Sequence, residues 1–297
     1  MLVFAGCAGP ASVSDIFTGP VTAGTMAEPA NSEASGLAAS PRTDGLIWAH
    51  NDSDGEPVLF ALGTDGSLRG KVRLAGVTNI DWEDLAAALI DGRPMLFVGD
   101  TGDNFAQRPQ RTIHVVAEPD PASLVPDREL MLRPDYSIHF VYEDGARDIE
   151  GIAVDSRDKA VYLLSKREPQ PRLYRLPMIA ATPALPAVAR RVGLVPHLPQ
   201  PTVLDRMIEG PLHAYRGQPT AMDFSPDGTL ALVLTYGDIL LFPRLAGEPW
   251  AEALARKPRK LAPHGLPQAE GTCFARDGRV ILVCSEKNRD LLRYERP

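Results

Sequence analysis

Cysteine is nearly missing from this 297-residue chain, with three residues in all, and positive charge is in deficit. Three thiols are too few to staple a domain of this size with disulfides. A net charge of −7 gives no general attraction for a phosphate backbone, so nucleic acid is excluded as the expected partner. No apolar run reaches the ~18–20 residues a membrane helix needs; the stretch 230–242 is broken by Thr235, Gly237 and Asp238. The six histidines are scattered, and no pair has zinc spacing. There is no Gly-x-Ser-x-Gly elbow, phosphate loop or dinucleotide fingerprint. What is abundant instead is glycine, at 25 residues, and proline, at 28. Each disfavours helix interiors, and together they suit many short strands joined by tight turns.

The first residues end in Ala5-Gly6-Cys7, which resembles the lipobox of bacterial lipoproteins. It implies a lipidated Cys7 and a periplasmic or cell-surface location, with membrane contact only through that anchor. The competing reading is a ragged tail with a chance cysteine. Residues 8–33 are rich in Ala, Ser, Gly, Thr and Pro, as a flexible tether would be. The division expected is therefore 1–33 as a shortened lipoprotein-type signal and tether, and 34–297 as a single domain.

One pattern returns five times. A small or acidic pair opens an apolar strand, a turn follows, a second apolar strand follows, and a polar cluster closes it. The copies start at Ser35-Gly36, Glu83-Asp84, Glu150-Gly151, Thr220-Ala221 and Glu270-Gly271. Four of the turns carry Asp-Gly, at Asp44-Gly45, Asp91-Gly92, Asp227-Gly228 and Asp277-Gly278, where glycine accepts the positive φ of a tight hairpin. The third copy has Asp158-Lys159. A third strand follows each hairpin, and a fourth follows the first three; Pro-containing insertions at Pro119 to Arg128 and Leu198 to Gln218 are expected to lengthen the second and third copies. Four antiparallel strands per repeat is the composition of a β-propeller blade. The expected fold is all-β, a propeller of five blades; six is the alternative, if a degenerate blade lies around residues 186–217. The last copy is short, so a strand near Val13 to Phe17, or one closer to Ser35, is expected to complete it. The segment 82–90 looks helical by propensity, but its place in the repeat demands an inner strand, whereas 250–256 reads as a short helix in a connection. Cys273 and Cys284 fall on two strands of one hairpin, diagonal to each other, and read as buried thiols.

The stretches His50-Asn51-Asp52-Ser53, Asn79-Ile80-Asp81-Trp82-Glu83-Asp84, Gly99-Asp100-Thr101-Gly102-Asp103-Asn104, Asp148-Ile149-Glu150-Gly151, Ser225-Pro226-Asp227-Gly228 and Ser285-Glu286 resemble an uncharacterised bacterial β-propeller family. That family is distantly similar to the phytase-like and SdiA-regulated propellers. The resemblance covers roughly 35–297 and implies the propeller fold. Through the phytase-like propellers it also implies calcium held by acidic clusters at the channel mouth; their basic phosphate-binding residues have no match here.

In a propeller the start of strand one and the end of strand two meet at one mouth. Here those positions hold Asp81, Glu83, Asp84, Asp148, Glu150 and Glu270, and Asn51, Asp52, Asp100, Asp103, Asn104, Lys166, Arg167, Glu286 and Lys287. Crowded carboxylates repel by several kcal/mol at short range, ~4 kcal/mol per pair at 4 Å, so something must compensate. Asp100, Asp103, Asn104 and Glu150 have the oxygen chemistry of a Ca²⁺ site. Asn51, Asp52, Asp84, Lys166, Glu270 and Glu286 are candidate ligand contacts. Glu83 and Glu150 are candidate general bases of a metal-dependent phosphoesterase or lactonase-like hydrolase. The leading reading is an extracytoplasmic propeller that binds a ligand at this acidic mouth, through a cation; the hydrolase is the first alternative, and a monomeric interaction scaffold whose glutamates pair with bases to hold neighbouring blades is the second. The partner is then an unidentified small molecule or protein.

Overall fold

We describe residues 17–27, 33–53, 55–178, 185–207 and 215–297 of a computed structural model of the chain. Cys7, and the segment Val13 to Ile16 expected to close the ring, lie outside them. Strand β1 (Thr18–Thr25) comes first. The first antiparallel unit follows as β2 (Ala34–Ala39), β3 (Leu46–Asn51), β4 (Val58–Gly63) and β5 (Leu68–Leu74). The second contains β6 (Trp82–Ile90), β7 (Arg93–Asp100), β8 (Arg111–Ala117) and, after the excursion β9 (Glu129–Leu132), β10 (Tyr136–Tyr142). The third is β11 (Ile149–Asp155), β12 (Ala160–Ser165), β13 (Arg172–Pro177) and β14 (Ala187–Leu194). Helix α1 (Val203–Met207) precedes the fourth, which is β15 (Pro219–Phe224), β16 (Leu230–Thr235), β17 (Ile239–Pro243) and, beyond helix α2 (Trp250–Leu254), β18 (Arg259–Lys260). The fifth is β19 (Ala269–Phe274), β20 (Val280–Ser285) and β21 (Asp290–Glu295), completed by β1.

Among the described residues the strands thus form five four-stranded units. Their first strands touch in a closed circle, β2 to β6 to β11 to β15 to β19 and back to β2. The segment 187–194, where a sixth blade could have hidden, is the outer strand of the third unit. An apolar layer fills each gap between neighbouring units: Trp48 and Val98, Phe97 and Leu163, Leu164 and Val233, Leu232 and Phe274, Cys284 and Leu37 belong to the five successive layers. Each unit buries both faces, which is why its middle strands read as continuous apolar runs rather than alternating ones. The segment 82–90 is strand β6, its helical propensity overridden by pairing with β7.

The hairpin turns follow their chemistry. Asp91 and Gly92 both have positive φ, 50° and 79°, as a type I′ turn requires. Where the third copy lacks glycine, Lys159 itself takes φ 49°. Cys273 pairs in register with Leu282 and Cys284 with Gly271, so the two thiols are offset, buried and free.

Two expectations need correction. Residues 18–25 belong to the ring, not to a tether, because β1 satisfies the edge of β21 along its length. The insertion after β8 does not lengthen its own unit; β9 crosses over and adds to β5 in parallel.

Two aspartates tie the inner strands together. Asp84 Oδ1 accepts from its neighbour Leu85 N–H (2.8 Å), and Oδ2 accepts from Ile152 N–H of β11 (2.8 Å) and Met222 N–H of β15 (3.1 Å). Asp223, on β15 of the fourth unit, repeats the device toward the fifth, accepting from Phe224 N–H and from Phe274 N–H of β19, each at 2.8 Å. With five units the axis is narrow enough for one carboxylate to reach across it. The same crowding requires glycine at the start of β11, where a Cβ on Gly151 would meet Met222 Cβ at 3.0 Å.

Candidate functional site

Each inner strand carries the same irregularity at its start. The register slips between Ala34 and Gly36, Trp82 and Leu85, Ile149 and Gly151, Pro219 and Ala221, and Ala269 and Gly271. A bulge re-aims the extra side chain. The residues at these five steps are Ser35, Glu83 with Asp84, Glu150, Thr220 and Glu270. Ser35 Oγ donates to Glu83 O, and Thr220 Oγ1 donates to Ala269 O at 2.8 Å, which stitches neighbouring bulges. The glutamates are freed for the mouth.

There they form two overlapping carboxylate groups. Asp52, Asp81 and Glu83 each offer an oxygen within 4.8 Å of the others, and so do Glu83, Asp148 and Glu150. Glu83 belongs to both. Burial, reinforced by neighbouring carboxylates, pushes Asp52 and Asp81 up to about 6. Burial and the charge of Glu150 push Glu83 well above the usual carboxylate range. Glu150 is raised by burial and drawn back by Lys166, and it also shares a hydrogen bond with Glu83. Two adjacent carboxyls of this kind hold a proton between them.

Lys166, at the end of β12, is the buried counter-charge. Its Nζ lies 2.7 Å from Glu150 Oε1, donates to Tyr236 Oη at 3.0 Å, and sits 4.9 Å from the Tyr236 ring centre. Tyr236 Oη donates in turn to Glu270 Oε1 at 3.0 Å. Burial opposes the charge of Lys166, but Glu150, Tyr236, Glu270 and Glu83 outweigh it and hold its pKa well above normal. Tyr236 follows β16 directly, the position equivalent to Lys166 after β12; the rule that strand-two ends face the mouth would have found it.

The expected calcium set does not assemble. Asp100 pairs with Arg108 at 2.5 Å, Asp103 pairs with Arg111, and Asn104 Oδ1 accepts from Arg167. Asp103 also accepts from Gln107 N–H (2.9 Å) and Arg108 N–H (3.0 Å), so its oxygens organise the loop. Asp148 receives Asp103 N–H at 2.8 Å and the Arg167 guanidinium. Of the four, Glu150 alone joins a carboxylate group among the described residues. Asp84 faces backbone donors, as described, rather than the mouth. Asn51 accepts Glu33 N–H at 3.3 Å through its side chain. Glu286 is held by Gln268 and, at 2.8 Å, by Lys287. Asp52, Glu83, Glu150, Lys166 and Glu270 therefore converge, with Asp81, Asp148 and Tyr236 beside them.

Glu270 gives the mouth a measurable signature. Burial raises it to about 8, with Glu150 and Glu286 adding to the effect and Lys166 opposing it. A carboxyl raised in the folded state contributes stability that is full below its unfolded pKa and lost as pH rises through the folded one. Glu270→Gln escapes that loss. In urea denaturation it is expected to exceed the wild type at pH 8 by on the order of 2 kcal/mol, with the gap closing toward pH 5. A gap independent of pH would contradict the assignment.

No protein-family model matches the chain, and no curated protein matches it. Solved structures do. A gluconolactonase from Xanthomonas campestris, described as important in glucose secondary metabolic pathways, superposes with a TM-score of 0.50 at 10% identity, covering 99% of each chain. The Pan2 WD40 domain from Neurospora crassa gives a TM-score of 0.38 at 10% identity, covering 89% of this chain and 63% of its own. The phytase-like and SdiA-regulated relation is not carried by these similarities. With the strand topology, the end-to-end superposition identifies the chain as a β-propeller of a distant kind.

Proposed function

We propose that the acidic mouth binds a divalent cation at Asp52, Asp81 and Glu83, and that the protein hydrolyses a small lactone or related ester there. One observation carries the reading. Three carboxylates lie within 4.8 Å of one another, and among the described residues no lysine or arginine forms an ion pair with any of them. Their mutual repulsion calls for a cation from outside, and an all-oxygen donor set suits a hard one. A bound divalent cation would supply neutralising charge and Lewis acidity toward a carbonyl oxygen. The gluconolactonase likeness is support of a weaker kind, since fold does not fix function.

The chain's own groups supply the proton chemistry. Glu83 touches both carboxylate groups and is the member placed to give or take a proton beside a bound ester. Glu150 holds it by hydrogen bond, and Lys166 holds Glu150. Tyr236 fixes Lys166 against Glu270.

Calorimetric titration of metal-free protein with Ca²⁺, Mg²⁺ and Zn²⁺ tests the cation. We expect saturable binding by at least one of them and a rise in melting temperature, both weakened at least tenfold in affinity by Asp81→Asn. Proton release from δ-gluconolactone, followed in a pH-stat with and without that cation, tests the reaction. No binding heat and no melting shift with any of the three overturns the proposal. Cation binding without turnover of this or other lactones favours a ligand-binding propeller instead.

A further inference from the structure

The opposite end of the channel holds a cavity of about 450 Å³. The far ends of all five inner strands line it, through Ala38, Ala88, Val154, Phe224 and Phe274, and Trp250 of α2 closes one side. The walls are stiff. Phe224 and Trp250 stack at 3.8 Å with an interplanar angle of 6°, and the Arg244 guanidinium covers Trp250 at 4.2 Å.

Four charged residues border this space, and two of them already have ion-pair partners. Asp155 accepts from Trp250 Nε1 at 2.8 Å and pairs with Arg244 at 3.2 Å. Arg157 donates to Asp227 O at 2.8 Å, and Arg276 pairs with Asp44 at 2.7 Å. The fourth is Asp223. Its oxygens take the two backbone N–H groups already described, and among the described residues no basic side chain forms an ion pair with it. Each oxygen keeps accepting capacity after one hydrogen bond. A carboxylate in a wall that mixes small apolar and aromatic side chains with Ser40, Ser156 and Ser225 favours a ligand with one cationic head and an apolar body. A neutral guest would leave the Asp223 charge unmatched.

We propose that this lower cavity is a second ligand site, built for a small hydrophobic primary amine whose ammonium pairs with Asp223 while its apolar body fills the space between the inner-strand ends. Burial pushes the Asp223 carboxyl up to about 7, so its charge is costly there without a counter-charge.

The test is calorimetry at pH 8 with 4-phenylbutylamine and its neutral counterpart 4-phenylbutanol. The amine is expected to bind with a stoichiometry of one and at least tenfold more tightly than the alcohol. Asp223→Asn should erase that preference, and Ala88→Leu, which fills the cavity, should weaken both guests at least tenfold. Asparagine leaves one backbone N–H without its acceptor. If that variant does not fold, the amine preference of the wild type and its loss in Ala88→Leu decide the matter. Absent amine binding, equal affinity for both guests, a preference that survives Asp223→Asn, or full binding by Ala88→Leu would each overturn the proposal. Asp81→Asn, at the other mouth, should leave amine binding unchanged, so the failure of one site is distinguishable from failure of the other.

Discussion

Replacing Lys166 with methionine is expected to cost about 3–5 kcal/mol of unfolding free energy and to lower the melting temperature by roughly 10 °C. Methionine matches the length of the side chain, so little packing is lost. What is lost is the buried cation beside Glu150 and Tyr236, with Glu83 and Glu270 in its field. Removing one partner of a buried pair leaves an uncompensated charge, and that penalty exceeds the net worth of the pair itself. The carboxyls respond by holding protons more tightly, so the deficit should be larger at pH 8 than at pH 5. Denaturant titrations at both pH values measure this. A loss below 1 kcal/mol at pH 8 would mean that the carboxylates compensate one another without the lysine.

Removal of the Asp84 carboxyl has a comparable expected effect by a different route. Asp84→Ala leaves the N–H groups of Leu85, Ile152 and Met222 without their acceptor in a fully buried place. An unsatisfied buried donor costs about 1–3 kcal/mol, so a total of about 3–5 kcal/mol follows once partial relaxation is allowed. Asp84→Asn separates the terms. Its carbonyl oxygen can still serve Ile152 and Met222, and it carries no charge to bury. Burial holds the native carboxyl well above its ordinary pKa, so neutrality at this position is tolerated. We expect the asparagine variant to be at least about 2 kcal/mol more stable than the alanine variant. Equal stabilities in chemical denaturation would show that the tie between inner strands adds little.

The repeat was legible because its punctuation is chemical. Asp-Gly turns need positive φ, and four copies announce them at matching places. The inner strand 82–90 was legible by position against its own propensity. The closing strand was not. Residues 18–25 are mostly Thr, Gly, Pro and Ala, which reads as tether, and they become a strand only because β21 presents an edge up to 277 residues downstream. The crossing of β9 to β5 is equally non-local. At the mouth, strand ends located Glu83, Glu150, Glu270 and Lys166. They did not reveal that Arg108 and Arg111 fold back onto Asp100 and Asp103, since the loop before β8 carries no periodicity. The bulges have no signature beyond the glycine or small residue that follows four of the five, Gly36, Gly151, Ala221 and Gly271.

The closing strand also gives the molecule a direction. Thr18 pairs with Glu295, at the far end of β21, and the ring of Phe17 lies 6.3 Å from that of Phe274, on the rim of the lower cavity. The chain therefore enters β1 on the side away from Glu83, Glu150 and Lys166. The first described residues of the chain thus lie at the end of the ring that holds the lower cavity, and the carboxylate mouth opens at the other.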